Sequence, residues 1–174
     1  MKKIAVIYKS KHGTTKRYAE WIAEELEAQL FEASNIRPSQ LMSYDVVIYG
    51  GGLYAGGIIG VKLVTENACK SLVVFTVGLA NPDSTDYSGI LQKNFTQELL
   101  QKIKVFHLRG GIDYKKLGLV HKAMMALLVN LKVKKIPPEE RTSEIQTMLD
   151  TYGEKVDFTD KATIKPLIDY VRTL

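Results

Sequence analysis

Cysteine is almost missing from this chain: Cys69 stands alone among 174 residues, which excludes an internal disulfide and any cysteine-built metal cluster. That usage suits a reducing cytoplasm, and Cys69 reads as a small buried filler. Histidines number three and are scattered, as His12, His107 and His121. No Asp, Glu or His spacing points to a metal, and no Ser-His-Asp arrangement offers a nucleophile. His107 falls in an apolar run and reads as core; His121 reads as surface. Long hydrophobic runs are lacking as well. Met1-Lys2-Lys3 leads straight into Ile4-Ala5-Val6-Ile7, too short for a secretory leader, and neither a leader nor a spanning helix is expected. No G-x-x-x-x-G-K-[ST] run occurs, so a Walker loop is excluded. No linker, repeat or low-complexity stretch interrupts the chain. Nucleic acid is set aside, since there is neither a recognition-helix motif nor a basic groove interleaved with aromatics.

What is present suits one globular domain over 1–174: 45% of residues are hydrophobic and 25% charged, enough to bury a real core. Apolar runs of strand length recur at Lys3 to Tyr8, Val46 to Tyr49, Leu72 to Val77 and Val105 to Leu108, with a weaker one near Leu30 to Ile36. Stretches of helical periodicity separate them, which predicts an α/β fold, a doubly wound parallel sheet with crossover helices. The first helix carries Ala19, Ile22, Ala23, Leu26 and Leu30 on one face. Only a short helix fits in Pro38 to Tyr44.

The most telling segment runs from Val6 to Thr15. A strand ends, a loop of hydroxyl residues and one glycine follows, and a helix opens whose free N–H groups and positive dipole end attract an anion. Ordinary capping of a helix start is the alternative, but Ser10, Thr14 and Thr15 supply more hydroxyls than one cap needs. The series Val6-Ile7, Tyr8, Ser10, Gly13, a threonine, Ala19 and Ile22 resembles, position by position, the signature with which the flavodoxin family binds the phosphate of FMN.

That resemblance implies a flavodoxin-like sheet of five parallel strands in the order 2-1-3-4-5, in three layers. The ligand would lie outside the carboxyl ends of the strands, at the switch between the first and third. It implies FMN as cofactor and three contact segments. Ser10, Lys11, His12, Gly13, Thr14 and Thr15 would cradle the phosphate, His12 adding charge. Gly51, Gly52, Leu53, Tyr54 and Ala55, in a glycine-rich loop after the third strand, would approach the ring, with Tyr54 packing on the isoalloxazine. Gly78, Leu79, Ala80 and Asn81, after the fourth strand, would bond the ring edge and tune it through their backbone.

Charge separates the chain from ordinary acidic flavodoxins: the formal balance is +5 and the pI about 9.1. The excess gathers in the last third, from Lys102 to Arg141. Within it, Leu117, Val120, Ala123, Met124, Leu127, Leu128 and Leu131 share one helical arc, and lysines bracket both ends. Such a helix suits an anionic membrane surface contacted through 115–135, or simple packing on the sheet; it does both jobs equally well on paper.

A closer resemblance joins the core to Arg109-Gly110-Gly111-Ile112-Asp113-Tyr114, the Met124-Met125 helix, Glu139-Glu140-Arg141-Thr142 and Phe158-Thr159-Asp160. Together these are similar to the menaquinone-dependent protoporphyrinogen oxidase family. It implies an FMN-dependent oxidoreductase with an extra helical segment at about 114–142, passing electrons from a porphyrinogen-like substrate to a redox partner or quinone. Its place would be the cytoplasm, at the inner face of the membrane. Two positions depart from that family: Lys161 follows the Thr-Asp pair, where those enzymes tend to have an aromatic, and the loop after the third strand lacks their Arg-Tyr. A soluble one-electron flavodoxin shuttle and a flavin-free interaction module are the other readings.

Overall fold

A computed structural model describes residues 2–174, Glu144 by its backbone only. The chain runs β1 (Ile4–Lys9), α1 (Thr14–Leu26), β2 (Gln29–Glu32), a 3-10 turn at Pro38–Ser43 and β3 (Val46–Tyr54). A hairpin returns as β4 (Gly57–Ile58), followed by α2 (Lys62–Thr65), β5 (Leu72–Gly78), α3 (Ser88–Asn94), α4 (Gln97–Leu100) and β6 (Lys104–Arg109). The remainder is β7 (Gly111–Asp113), α5 (Leu119–Leu131), α6 (Ser143–Thr151), β8 (Lys155–Asp157) and α7 (Lys165–Thr173).

The parallel sheet has the order β2-β1-β3-β5-β6, with β4 antiparallel on β3. Counting the parallel strands alone, this is the expected 2-1-3-4-5 order of a flavodoxin-like α/β fold. The weak strand is shorter than expected, because the backbone turns at Ala33–Asn35. The helix expected near Pro38 is a 3-10 turn that buries Leu41. Leu30 does not belong to the first helix: α1 ends at Leu26, Glu27 turns left-handed, and Leu30 lies in β2.

Side-chain alternation along the strands builds two cores, one on each face. Val6, Ile48, Val73 and Phe75 pack under α1 and α7, where Ala19, Ile22, Leu167, Ile168 and Val171 are buried. Ala5, Ile7, Val47, Tyr49 and Val74 point the other way, against Leu41, Val61, Val64 and Phe95. Helices thus cover both faces, and the central strands β1, β3 and β5 read as near-continuously apolar for that reason.

After β6 the chain leaves the sheet and returns through the antiparallel pair β7–β8, which closes the excursion from Gly111↔Asp157 to Asp113↔Lys155. The extra segment is therefore longer than the expected 114–142 and contains both α5 and α6. Helix α5 packs through Met125, Ala126 and Val129, whereas the larger apolar arc faces outward: Leu119 is 85% exposed, Val120 77% and Leu127 60%.

Candidate functional site

The carboxyl end of β1 delivers the loop 10–13 to the start of α1. Gly13 adopts φ +90°, a left-handed conformation that few residues other than glycine tolerate, and its carbonyl accepts the first helical bond from Arg17 N at 3.1 Å. Ser10 Oγ accepts from Gly13 N at 2.9 Å, which tightens the loop. No side chain caps α1, so the N–H groups of its first turn are left to the loop's concavity. Thr15 is buried under the loop. A Cβ on Gly110 would come within 2.8 Å of Thr14 Oγ1, and one on Gly52 within 3.4 Å of Thr15 Oγ1. Glycine at both positions keeps the space beside the two hydroxyls open, as a phosphate cradle requires.

Strand pairing brings the second segment alongside. Lys9 pairs with Gly51, and Gly51 and Gly52 pair with Thr76 and Val77. Gly51, Gly52, Leu53 and Tyr54, expected in a loop, are the last residues of β3 instead. Only Ala55 and Gly56 form a turn, with φ +49° and +73°, the two-residue hairpin geometry that twists with the strands. The hairpin is braced from α3: Lys93 Nζ donates to Ala55 O at 3.0 Å and Asn94 Nδ2 to Gly56 O at 3.1 Å, while Ile58 N donates to Asn94 Oδ1 at 3.0 Å. A braced hairpin replaces the flexible connection that so many glycines suggest.

The third segment follows β5. Gly78 O accepts from Gly110 N at 2.7 Å and Leu79 O from Arg109 Nε at 2.9 Å. Ala80 is buried, and Asn81 Oδ1 accepts from Asp83 N at 3.1 Å. Several carbonyls of 78–81 are thereby engaged within the protein. A Cβ on Gly78 would lie 3.0 Å from Leu53 Cδ1, so the second and third segments meet directly.

His121, expected at the surface, is drawn into this neighbourhood by α5. Its Nε2 lies 2.5 Å from Lys11 Nζ and 3.0 Å from Tyr54 OH. The His121 and Tyr54 rings meet edge to face at 5.5 Å, and Lys11 Nζ sits 3.7 Å from the Tyr54 ring centroid. His12 joins the same electropositive corner: partial burial, then its neighbours Lys11 and His121, hold its pKa below the usual value.

A second cluster of polar contacts lies beside α1, joining it to Arg109 and to 157–160. Arg17 Nη1 donates to Asp157 Oδ2 at 2.6 Å and to Thr159 Oγ1 at 2.8 Å. These two partners hold the Asp157 carboxyl down at about 2. Tyr18 OH donates to Arg109 O at 2.7 Å and accepts from Asp160 N at 3.1 Å; the Arg109 guanidinium lies 3.8 Å from the Phe158 ring centroid. Lys161 ion-pairs with Glu24 at 3.1 Å and Glu25 at 3.4 Å. His107 is core-like, as expected, stacked on Tyr87 at 3.6 Å and bonded to Thr76 Oγ1 at 2.6 Å. Among the described residues no cluster of His, Cys, Asp or Glu has the geometry to hold a metal ion, and no helix is long and apolar enough to cross a membrane.

The family model described as a flavodoxin domain matches residues 5–137. A relative from Methanocaldococcus jannaschii, described as an uncharacterized protein, is 34% identical over 55 residues, 31% of this chain and 37% of the relative, so the match spans about a third of that protein. Among solved structures, a WrbA-like flavodoxin from Agrobacterium tumefaciens is 24% identical, covering 58% of this chain and 71% of that one, with a TM-score of 0.40. A flavoprotein in complex with FMN from Lactobacillus acidophilus is 16% identical over 63% of this chain and 93% of that one, TM-score 0.41. The rubredoxin oxygen oxidoreductase of Desulfovibrio gigas is 13% identical over 98% of this chain and 36% of that one, TM-score 0.49.

Proposed function

The chain belongs to the flavodoxin-domain family, and from that premise we propose that it is an FMN-binding oxidoreductase or electron-transfer protein. The observation that supports this most is the convergence of three segments on one uncapped helix start: the hydroxyl loop of β1, the glycine end of β3 and the turn after β5. The phosphate would be held by the first-turn N–H groups of α1 and by Ser10, Thr14 and Thr15, with Lys11 adding charge; His12, expected to add charge, has its pKa lowered and would offer a neutral imidazole N–H instead. Gly51 and Gly52 let the β3 backbone approach a planar ring, and Tyr54 supplies an aromatic wall. The turn 79–81 offers the ring edge chiefly N–H groups, because the Gly78, Leu79 and Asn81 carbonyls already accept bonds. When bound, FMN supplies one- and two-electron exchange, and these side chains supply position and electrostatics.

For the finer reading, we propose a hydrophobic, porphyrinogen-like electron donor, as in protoporphyrinogen oxidases, and a quinone or other redox partner as acceptor. The support is the outward apolar arc of α5, whose own His121 reaches the site. Lys115, Lys116, Lys122, Lys132, Lys134 and Lys135 surround that arc, which favours an anionic membrane surface as its occupant at the inner face of the membrane.

Parallel titrations with FMN and riboflavin test the cradle. FMN should bind about a hundredfold more tightly, since a phosphate held by several charge-assisted bonds contributes a few kcal/mol. Equal affinities would remove the phosphate site, and no binding of either would leave an interaction module.

A further inference from the structure

His121 is the one histidine that the extra segment contributes, and its surroundings define its protonation. A neutral imidazole has one N–H donor and one acceptor nitrogen. Here Nε2 faces two donors, the Lys11 ammonium at 2.5 Å and the Tyr54 hydroxyl at 3.0 Å. An ammonium has no acceptor lone pair, so a proton on Nε2 would set N–H against N–H. Nε2 is therefore the acceptor and the ring proton resides on Nδ1. Lys11 is tied down a second time, 3.7 Å from the centroid of the Tyr54 ring.

We infer that His121 is a positioning residue of the flavin site: its Nε2 accepts from Lys11 and stands against the Tyr54 hydroxyl, and so holds, from the extra helix, one cation of the phosphate loop and the aromatic wall of the ring. The inference rests on the FMN reading. Lys11 carries a long flexible stem, and Tyr54 stands at the mouth of a hairpin and is 37% exposed. Left alone, both would lose rotamer freedom when a ligand arrived; held by His121 they are already placed, and preorganisation of this kind appears as affinity. Helix α5 is built for the task. Met125, Ala126 and Val129 anchor it on the protein while His121, in its first turn, projects toward the hairpin. The extra segment is thus part of the site as well as an appendage beside it.

The test compares the parent protein with His121→Ala and His121→Gln, the latter keeping a neutral acceptor. FMN dissociation constants are read from flavin fluorescence, and the histidine ring nitrogen shifts of the flavin-free protein are read by NMR. Leaving two rotamer-rich side chains to be ordered only on binding is worth about tenfold in affinity, so His121→Ala should weaken FMN by about that factor. His121→Gln should recover most of the loss. The parent should show one histidine with an Nδ1–H tautomer that is shifted in a Tyr54→Phe variant. Far-UV circular dichroism confirms that the variants fold. Parent-like affinity in His121→Ala, tighter binding in it, or an Nε2–H tautomer overturns the inference while leaving the FMN reading intact. A parent that binds no FMN overturns both.

Discussion

Acidification should destabilise the protein through His107 well before its carboxylates titrate. The imidazole is pressed against the Tyr87 ring at 3.6 Å with an interplanar angle of 4°, and its Nδ1 is 2.6 Å from Thr76 Oγ1. Burial disfavours the imidazolium there and pushes the pKa down to about 4 from 6.5. In the unfolded chain the ring takes a proton near 6.5; in the folded protein it waits until about 4. Between those values the unfolded state binds more protons, so stability is fully present above the higher one and drains away as the pH falls toward the lower. A full shift of this size is worth about 3 kcal/mol, and because the ring is only partly buried, solvent screening brings the expected loss to about 2 kcal/mol. His12, with its lowered pKa, adds loss of the same sign. Urea denaturation of the parent and of His107→Gln at pH 7 and pH 4.5 separates the two. The parent should lose at least about 1 kcal/mol more than the variant across that interval. Identical losses would refute the argument and show that His107 accepts a proton in the folded state without cost.

Three further outcomes follow from the geometry. Gly110→Ala would put a Cβ 2.6 Å from Val77 Cγ1 and 2.8 Å from Thr14 Oγ1. Overpacking of this kind costs about 1–3 kcal/mol. Its urea midpoint should fall and its FMN affinity with it; unchanged affinity would detach Thr14 from the cradle. Asp157→Asn removes the acidic partner of Arg17 and should flatten the loss of stability in acid, because the Asp157 contribution is present above its ordinary pKa of 3.8 and disappears as pH falls toward about 2. An acid unfolding profile identical to the parent's would show the pair to be inert. Finally, Leu127→Glu with Leu128→Glu should abolish co-sedimentation with vesicles rich in anionic phospholipid while leaving FMN binding intact, and parent-like sedimentation would remove the membrane from the account.

The sheet was legible because a buried parallel strand needs apolar residues on both faces, and Ile4 to Tyr8, Val46 to Tyr49 and Leu72 to Val77 carry that pattern, broken only by the buried Thr76. The loop and helix start around Gly13 were legible for a different reason: Ser10, Gly13 and Thr14 stand between an apolar strand and an amphipathic helix, and α1 begins at Thr14 behind a left-handed Gly13. The hairpin at Ala55-Gly56 is not legible in the same way: five glycines between 50 and 57 read as a loop, while the ladder to β5 and the braces from Lys93 and Asn94 make most of them strand. Tertiary pairing overrode composition there. Helix α7 passed unnoticed although Leu167, Ile168 and Val171 have helical spacing behind Pro166. Strands β7 and β8 are three residues each and are specified by one another across a long excursion, which local pattern cannot reveal. The same holds for His121: nothing in its neighbours in sequence indicates Tyr54, 67 positions away.

The central claim is that the loop 10–15 and the start of α1 form a phosphate cradle for FMN. Fluorescence titration of the purified protein with FMN, alongside the double variant Thr14→Ala and Thr15→Ala, tests it most directly. Stoichiometric quenching in the parent, weakened at least tenfold when two hydroxyl contacts are removed, is the predicted result. Equal binding by parent and variant, or no binding by the parent, would contradict it.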